Sequence, residues 1–403
     1  MRFFPSIPAF LALLAAVLLP LSSSPAKEAD YKTETERIVT EAVTGHRIPS
    51  LVVAIIQNGK VEFQKAYGKD PLYTFAVNAT SNTYALGPVS EVLTGAAILE
   101  LQEKGKLSLD DSVGKYLPDV PEEWRLITLK QFLTHQSGVQ ELPRDSQSFA
   151  AAVAAASKQP MRFRPGAAQS NNPADYDVLG QVIVKVTGQD YNSFMQRNLF
   201  KEMKFTATGD YSLLLFRFVA PQDFNPVGPQ ANTGNTDGND SASGLSGQRG
   251  FAGINFAERT NLIERLQRGI PGYSVPSRGL VSNVQDIARI ANATFTPAGM
   301  KGFSNPDYIG MAPGWHSCNT GKDVLLTDAG FGGAGYGINL SVLPSRKTAL
   351  VLLWKAVKSS DPTNLHDESQ EILESALGIP VSTWVCTGTD EENDVPDDDT
   401  TQQ

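Results

Sequence analysis

The sequence is poor in the residues that would make several classes of protein. Its 403 residues include only two cysteines, too few for a disulfide framework or for a thiolate zinc site. Positive charge is also in deficit. A net charge of −9 argues against nucleic-acid binding, which usually brings an excess of lysine and arginine. No internal repeat is visible, and no long apolar run follows the N-terminal one. A coiled coil, a collagen-like fibre and a wholly disordered chain are excluded by a composition that is 41% hydrophobic and 19% charged. This much chain holds one large core or two smaller ones.

The negative charge is concentrated. Seven acids lie between Asp390 and Asp399, so the rest of the chain is nearly neutral. The tail 387–403 has too little apolar surface to offset the entropy lost on ordering and reads as disordered. At the other end, Arg2 precedes an apolar run from about Ala9 to Leu21. That run falls short of the ~20 residues needed to span a bilayer. Small residues follow at Ser24 and Ala26, so residues 1–26 read as a secretory signal peptide cleaved near Ala26. The expectation is a secreted or extracytoplasmic protein with no membrane span after cleavage.

Secretion changes how other residues read. Cys318 and Cys386 become a candidate disulfide in an oxidising compartment. Asn78, Asn239 and Asn292 begin glycosylation triplets. The triplet at Asn339 is discounted because it sits in a strand expected to be buried.

Residues 27–386 are expected to form one domain. A helix is predicted over 31–46. Strands follow at 51–57 and 61–68, joined by Asn58-Gly59, a strong hairpin signal. Two more strands are predicted near the other end, at 337–344 and 348–355, and a last helix over 364–377. Between them, apolar residues recur at helical spacing in 90–106, 129–138 and 174–188. A Gly/Asn/Ser-rich stretch at about 225–250 reads as a disordered insertion. Terminal strands around a helical middle imply an α+β fold. One antiparallel sheet is built from both chain ends, flanked by helices, with a helical subdomain inserted.

Several blocks resemble the serine β-lactamase and penicillin-binding-protein family, in its class C and esterase-like branch. They are GPVSEVLTGAAILELQEKGKLSLDDSVGKYLPD (87–119), ITLKQFLTHQSGVQELP (127–143), DYDVLGQVIVKVTG (175–188) and SRGLVSNVQDIARIANA (277–293). The resemblance extends over roughly residues 34–357 and implies the β-lactamase/transpeptidase-like fold. It also implies a serine nucleophile in a Ser-x-x-Lys tetrad at a helix start. The aligned tetrad here is Pro88-Val89-Ser90-Glu91. Proline stands at the serine position and glutamate at the lysine position. Proline also lacks the backbone N–H that would help form an oxyanion hole. Proline is nevertheless welcome at a helix start, and a carboxylate in the first turn suits the helix dipole.

The other motifs implied by the resemblance are altered too. The Tyr-x-Asn stretch is Gln169-Ser170-Asn171-Asn172. Its tyrosine position is Gln169 or Ser170, and its asparagine is Asn171 or Asn172. The third motif, Lys-Thr-Gly or His-x-Gly, aligns with Asp328-Ala329-Gly330. Two Ser-x-x-Lys strings elsewhere, Ser24 to Lys27 and Ser112 to Lys115, lack the helix-start context. His135 lies in a block that supports a loop and reads as structural.

Three readings follow. The first is a protein without acyl-serine chemistry, inactive as a β-lactamase, that keeps the cleft for an unidentified small molecule or protein partner. Its ligand-binding residues would be Ser90, Glu91, Asn171, Asn172, Asp328 and Gly330. The second is a repurposed enzyme in which Glu91 and Asp328 raise each other's pKa and act as acid and base. The third is a hydrolase or acyltransferase with a relocated nucleophile. No cofactor and no metal site is expected.

Overall fold

The structure is a computed structural model that describes residues 25–46, 48–68, 83–210, 271–295, 311–319, 323–331, 336–355, 365–379 and 385–387. The predicted signal segment before residue 25, the 225–250 insertion, Asn78, Asn239 and the acidic tail from 388 onward lie outside these residues.

Helix α1 (Pro25–Gly45) starts earlier than its periodicity suggested and leads into strands β1 (Ser50–Gln57) and β2 (Lys60–Gly68). The turn between the strands has positive φ at both Asn58 and Gly59, 50° and 82°. This backbone matches the right-handed strand twist, and Asn-Gly accommodates it. At the far end, β9 (Tyr336–Leu343) and β10 (Thr348–Lys355) form a second antiparallel pair. The two pairs meet where Ser50–Gln57 runs against Lys355–Thr348, so β1 and β10 join the chain ends inside one sheet.

Strands β7 (Trp315–Asn319), β8 (Val324–Phe331) and β11 (Val385–Thr387) extend this sheet to the order β11-β7-β8-β9-β10-β1-β2, with β6 (Met311–Ala312) paired to β7. A second, three-stranded sheet was not anticipated. It consists of β3 (Tyr84–Ala85), β5 (Leu280–Ser282) and β4 (Gly209–Asp210) in that order. Its strands are too short to leave a periodic pattern.

The main sheet separates two cores, and β1 shows why its sequence is apolar throughout. Val52, Ala54 and Ile56 face the larger core, shared with the helical middle. Leu51, Val53 and Ile55 face a smaller core under α1 and the C-terminal helical segment. A strand buried on both faces shows no polar alternation.

The helical middle includes α2 (Val89–Glu103), α3 (Leu129–Leu133), α4 (Phe149–Ala156), α5 (Pro173–Thr187) and α6 (Tyr191–Met195). The helix expected over 129–138 stops at Leu133, because His135 and Gly138 take positive φ of 54° and 71°. The predicted last helix is realised as His366–Glu371 followed by a wider turn over Ile372–Ala376. None of the described helices is long and apolar enough to cross a membrane.

Cys318 is disulfide-bonded, and neither of the two cysteines is free. The antiparallel ladder sets Cys386 of β11 directly opposite Cys318 of β7. The bridge therefore pins the C-terminal segment to the sheet edge. Asn339 is fully buried, where it donates to the Ser369 hydroxyl. Asn292 has a different use from the one its triplet suggested. It lies in the Val284–Thr294 helix, and its Nδ2 donates to the Gly59 carbonyl at 2.9 Å, tying that helix to the β1–β2 turn.

Candidate functional site

The altered motifs converge at the N-terminus of α2. Pro88 takes helical dihedrals, φ −58° and ψ −30°, and caps α2 without a side-chain hydrogen bond. It is buried. Strand β8 lies against it. A Cβ added to Gly330 would come within 2.6 Å of Pro88 Cγ. Gly330 thus gives the proline ring its space, and no reactive group occupies the helix start.

The β6–β7 turn closes another side. Gly314 has φ +74°, and a Cβ there would lie 2.4 Å from the Val92 nitrogen and 2.5 Å from the Glu91 carbonyl carbon. Its neighbour Pro313 packs on Gly95, the next turn of α2. Only glycine meets both the backbone conformation and the close approach.

Glu91 does not line an open, solvated cleft. Its side chain is 3% exposed, and His135 Nε2 lies 3.1 Å from Glu91 Oε2. His135 is equally buried, and its Nδ1 lies 2.9 Å from Asp175 Oδ2 in the first turn of α5. The Ser137 hydroxyl donates to the other Asp175 oxygen. Burial opposes the imidazolium, but hydrogen bonds to Asp175 and Glu91 outweigh it and raise the His135 pKa to about 10. Burial conversely pushes Asp175 above the ordinary carboxylate range. The supporting role expected of His135 is thus specific. It is a buried cation shared by carboxylates from two helices. Sequence reading missed Asp175 as its partner. The available signal was a carboxylate in the first turn of a helix, where a dipole role explains it equally well.

Asp328 completes the cluster from β8. It is 2% exposed, and its Oδ1 has no hydrogen-bond partner among the described residues. Burial drives its pKa well up, and the neighbouring Glu91 charge adds to the rise, while His135 and Arg278 oppose it.

The remaining candidates separate cleanly. Ser90 is fully buried, and its hydroxyl accepts from the Leu280 N–H at 3.2 Å. It ties α2 to β5, so its hydroxyl is committed within the fold rather than offered to a ligand as expected. Asn172 is also withdrawn from the binding set. Its Oδ1 caps α5 through the Ala174 N–H, and its Nδ2 donates to the Val139 carbonyl. Asn171 is left as the half-buried amide of this motif, 3.3 Å from His316 Nε2 on β7. Gln169 donates to the Thr134 carbonyl, while the Ser170 hydroxyl accepts from Arg162. Ser112 precedes a short turn, and Lys115 is paired with Asp111. That Ser-x-x-Lys string is used for local structure.

Among the described residues, no group of three or more histidines, cysteines or carboxylates is placed to hold a metal ion.

Known proteins share the fold that carries this site. Among curated relatives, protein flp of Staphylococcus aureus (strain N315) is 27% identical over 193 residues, which is 44% of this chain and 38% of the relative. The match thus spans well under half of that protein. Solved structures match along most of the chain. The octameric penicillin-binding protein homologue from Pyrococcus abyssi aligns with a TM-score of 0.63 at 18% identity, covering 86% of this chain and 78% of that one. A class C β-lactamase aligns with a TM-score of 0.60 at 15% identity, covering 89% and 98%. These likenesses show the β-lactamase/transpeptidase-like fold. The Beta-lactamase family profile matches residues 35–373, and with most of its length so matched, the chain belongs to the β-lactamase family.

Proposed function

We propose that this β-lactamase-related protein performs no acyl-serine chemistry and acts through ligand or partner binding outside the cytoplasm. One observation carries the reading: the buried Pro88 ring stands at the start of α2 and packs on Gly330. The position offers no hydroxyl, and proline supplies no N–H to a developing oxyanion. Loss of one oxyanion donor costs roughly 10²–10³ in rate, and loss of a nucleophile about 10⁶. The tetrad's fourth position adds to the argument. Glu91 is engaged by His135, so a hydrogen-bond acceptor stands where the family places an ammonium donor.

Serines nearby give little support to a relocated nucleophile. Ser90 and Ser137 are both buried and hydrogen-bonded. The acid–base reading keeps one supporting observation, the raised pKa of Asp328 beside Glu91. Its two carboxyl groups are closed off from solvent, which disfavours turnover of a large substrate.

The test is labelling of the purified protein with a broad fluorophosphonate and a fluorescent penicillin, read by intact mass. The expected spectrum shows the unmodified mass alone. A stoichiometric adduct would overturn the reading, and peptide mapping would locate the serine. If neither probe labels but Glu91→Gln abolishes a measurable turnover, the acid–base reading replaces this one.

A further inference from the structure

Three buried carboxyl groups gather around one buried histidine at the start of α2. Glu91, Asp175 and Asp328 are each at most 3% exposed. The one fully buried cation that the structure shows among them is His135, and it is committed to Glu91 and Asp175. Arg278, at the end of the Val275–Arg278 helix, is half-buried; its charge opposes the rise at Asp328, and its own Nε is buried without a partner among the described residues. Each carboxylate in a conventional buried network would have both oxygens satisfied. Here Glu91 Oε1 and Asp328 Oδ1 are buried with no partner among the described residues. Leaving such an atom without a donor is unfavourable, and more so when it is charged.

These two atoms belong to facing elements. Side chains two apart on a strand share one face, so Asp328 lies on the same face of β8 as Gly330. That face abuts α2, because the direction of a Gly330 Cβ leads to the Pro88 ring. Glu91 is one helical turn beyond Pro88. Its Oε2 is held by His135, which leaves Oε1 for a further donor. The charge of Glu91 is the strongest neighbouring charge felt by Asp328. Two buried carboxyl groups, each with one oxygen unpartnered among the described residues, therefore flank one small region between α2 and β8.

We propose that the pair Glu91 and Asp328 forms a binding site for a compact ammonium group, either the ammonium ion or the head of a primary amine. An ammonium brings the positive charge that the cluster lacks and three or four N–H donors for oxygens that have none. A hard metal ion fits less well. It needs about six oxygen ligands, and no metal-holding cluster is present among the described residues. A quaternary ammonium carries charge without N–H donors and leaves both oxygens unsatisfied. The closed surroundings of the two oxygens restrict the site to a small head group. Ala329 and Gly330 beside Asp328 are half-buried. This assignment names the ligand class of the non-acylating centre and rests on that reading.

The experiment is thermal unfolding and calorimetric titration of the full chain with methylammonium chloride. Sodium chloride and tetramethylammonium chloride at matched ionic strength are the controls. Methylammonium is expected to raise Tm in a saturable way and to bind with one-to-one stoichiometry. Sodium and tetramethylammonium are expected to do neither. Asp328→Asn retains the shape of the side chain and should weaken methylammonium binding on the order of 100-fold, because one of two buried charges is removed. Lys115→Ala changes an exposed residue outside the centre and should bind as the parent does. Equal shifts with all three salts, or with sodium and methylammonium alike, would overturn the proposal. So would methylammonium binding that survives Asp328→Asn unchanged. The labelling test fails separately. An acyl adduct sinks the non-acylating reading whatever the salts do, whereas an unlabelled protein indifferent to methylammonium sinks only this assignment.

Discussion

Pro88 and His135 set the chemistry of the centre, and a third residue, Asp177 of α5, sets a pH dependence of stability. Pro88 acts by lacking an N–H and a hydroxyl. Pro88→Ser should restore the hydroxyl but yield no fluorophosphonate adduct by intact mass, since Glu91 and His135 still occupy the surroundings of the old tetrad. His135 acts by charge. Removing it leaves Glu91 and Asp175 as unpaired buried carboxylates, and His135→Ala is expected to cost about 3–5 kcal/mol in urea unfolding. Asp177 acts by burial. Its pKa rises to about 7 mainly from desolvation, despite hydrogen bonds from Ser277 and Ser274. Above pH ~4 an unfolded aspartate has released its proton, while the folded Asp177 retains one until about pH 7. Folding is therefore opposed increasingly as pH rises across that window. Asp177→Asn should flatten the fall in stability between pH 4 and 7, measured by denaturant midpoints. The His135 contribution falls later. It is complete below pH 6.5, the unfolded value, and is lost as pH rises through about 10.

Individual elements are positioned by absences of side chain as much as by contacts. The β6–β7 turn seats on α2 only because Gly314 has no Cβ. Gly314→Ala puts an atom 2.4 Å from the Val92 nitrogen at φ +74° and should destabilise by about 1–3 kcal/mol, visible as a lower Tm. The contact between β8 and α2 has the opposite remedy. Gly330→Ala collides with Pro88, so Pro88→Ala should relieve part of that penalty. A double-mutant cycle is expected to show a coupling of roughly 1–2 kcal/mol, and simple additivity would argue against the packing described. Capping follows local chemistry more directly. Asn172 and Pro173 begin α5, and Gly188 ends it with φ 67°. These three signals agree along the chain, and the predicted boundary at 174–188 is close to the observed one.

The whole molecule depends on closing two ends of the chain into one sheet. The central join is β1 against β10, a pairing between residues nearly three hundred positions apart that no local propensity specifies. The disulfide at Cys318 secures the other border, where β11 adds a strand to β7. The bridge to Cys386 encloses a loop of roughly 70 residues, so its loss should cost about 4 kcal/mol by the loop-entropy account. Reductant is expected to lower the Tm of the intact chain, and Cys318→Ser should abolish that response. An unchanged Tm under full reduction would show that β11 contributes little to holding the sheet.

Local chemistry in the sequence determined much of this protein. The Asn58-Gly59 turn, the apolar strand β1 and the caps of α5 are readable from neighbouring residues, whereas the replacement of Ser-x-x-Lys by Pro88-Val89-Ser90-Glu91 follows from the family resemblance. The first three are readable because each rests on backbone dihedrals or side-chain periodicity within a few positions. The state of the centre was decided only in three dimensions. His135 meets Asp175 across 40 positions and Glu91 across 44, and no pattern along the chain marks that partnership. Which of Asn171 and Asn172 caps α5 was likewise fixed only by where that helix begins. Ser90 beside the old nucleophile position proved to face inward, because a helix rotates successive side chains by about 100°. Burial, which sets the charge states of Glu91's neighbours, is a property of the packed molecule and belongs to no residue alone.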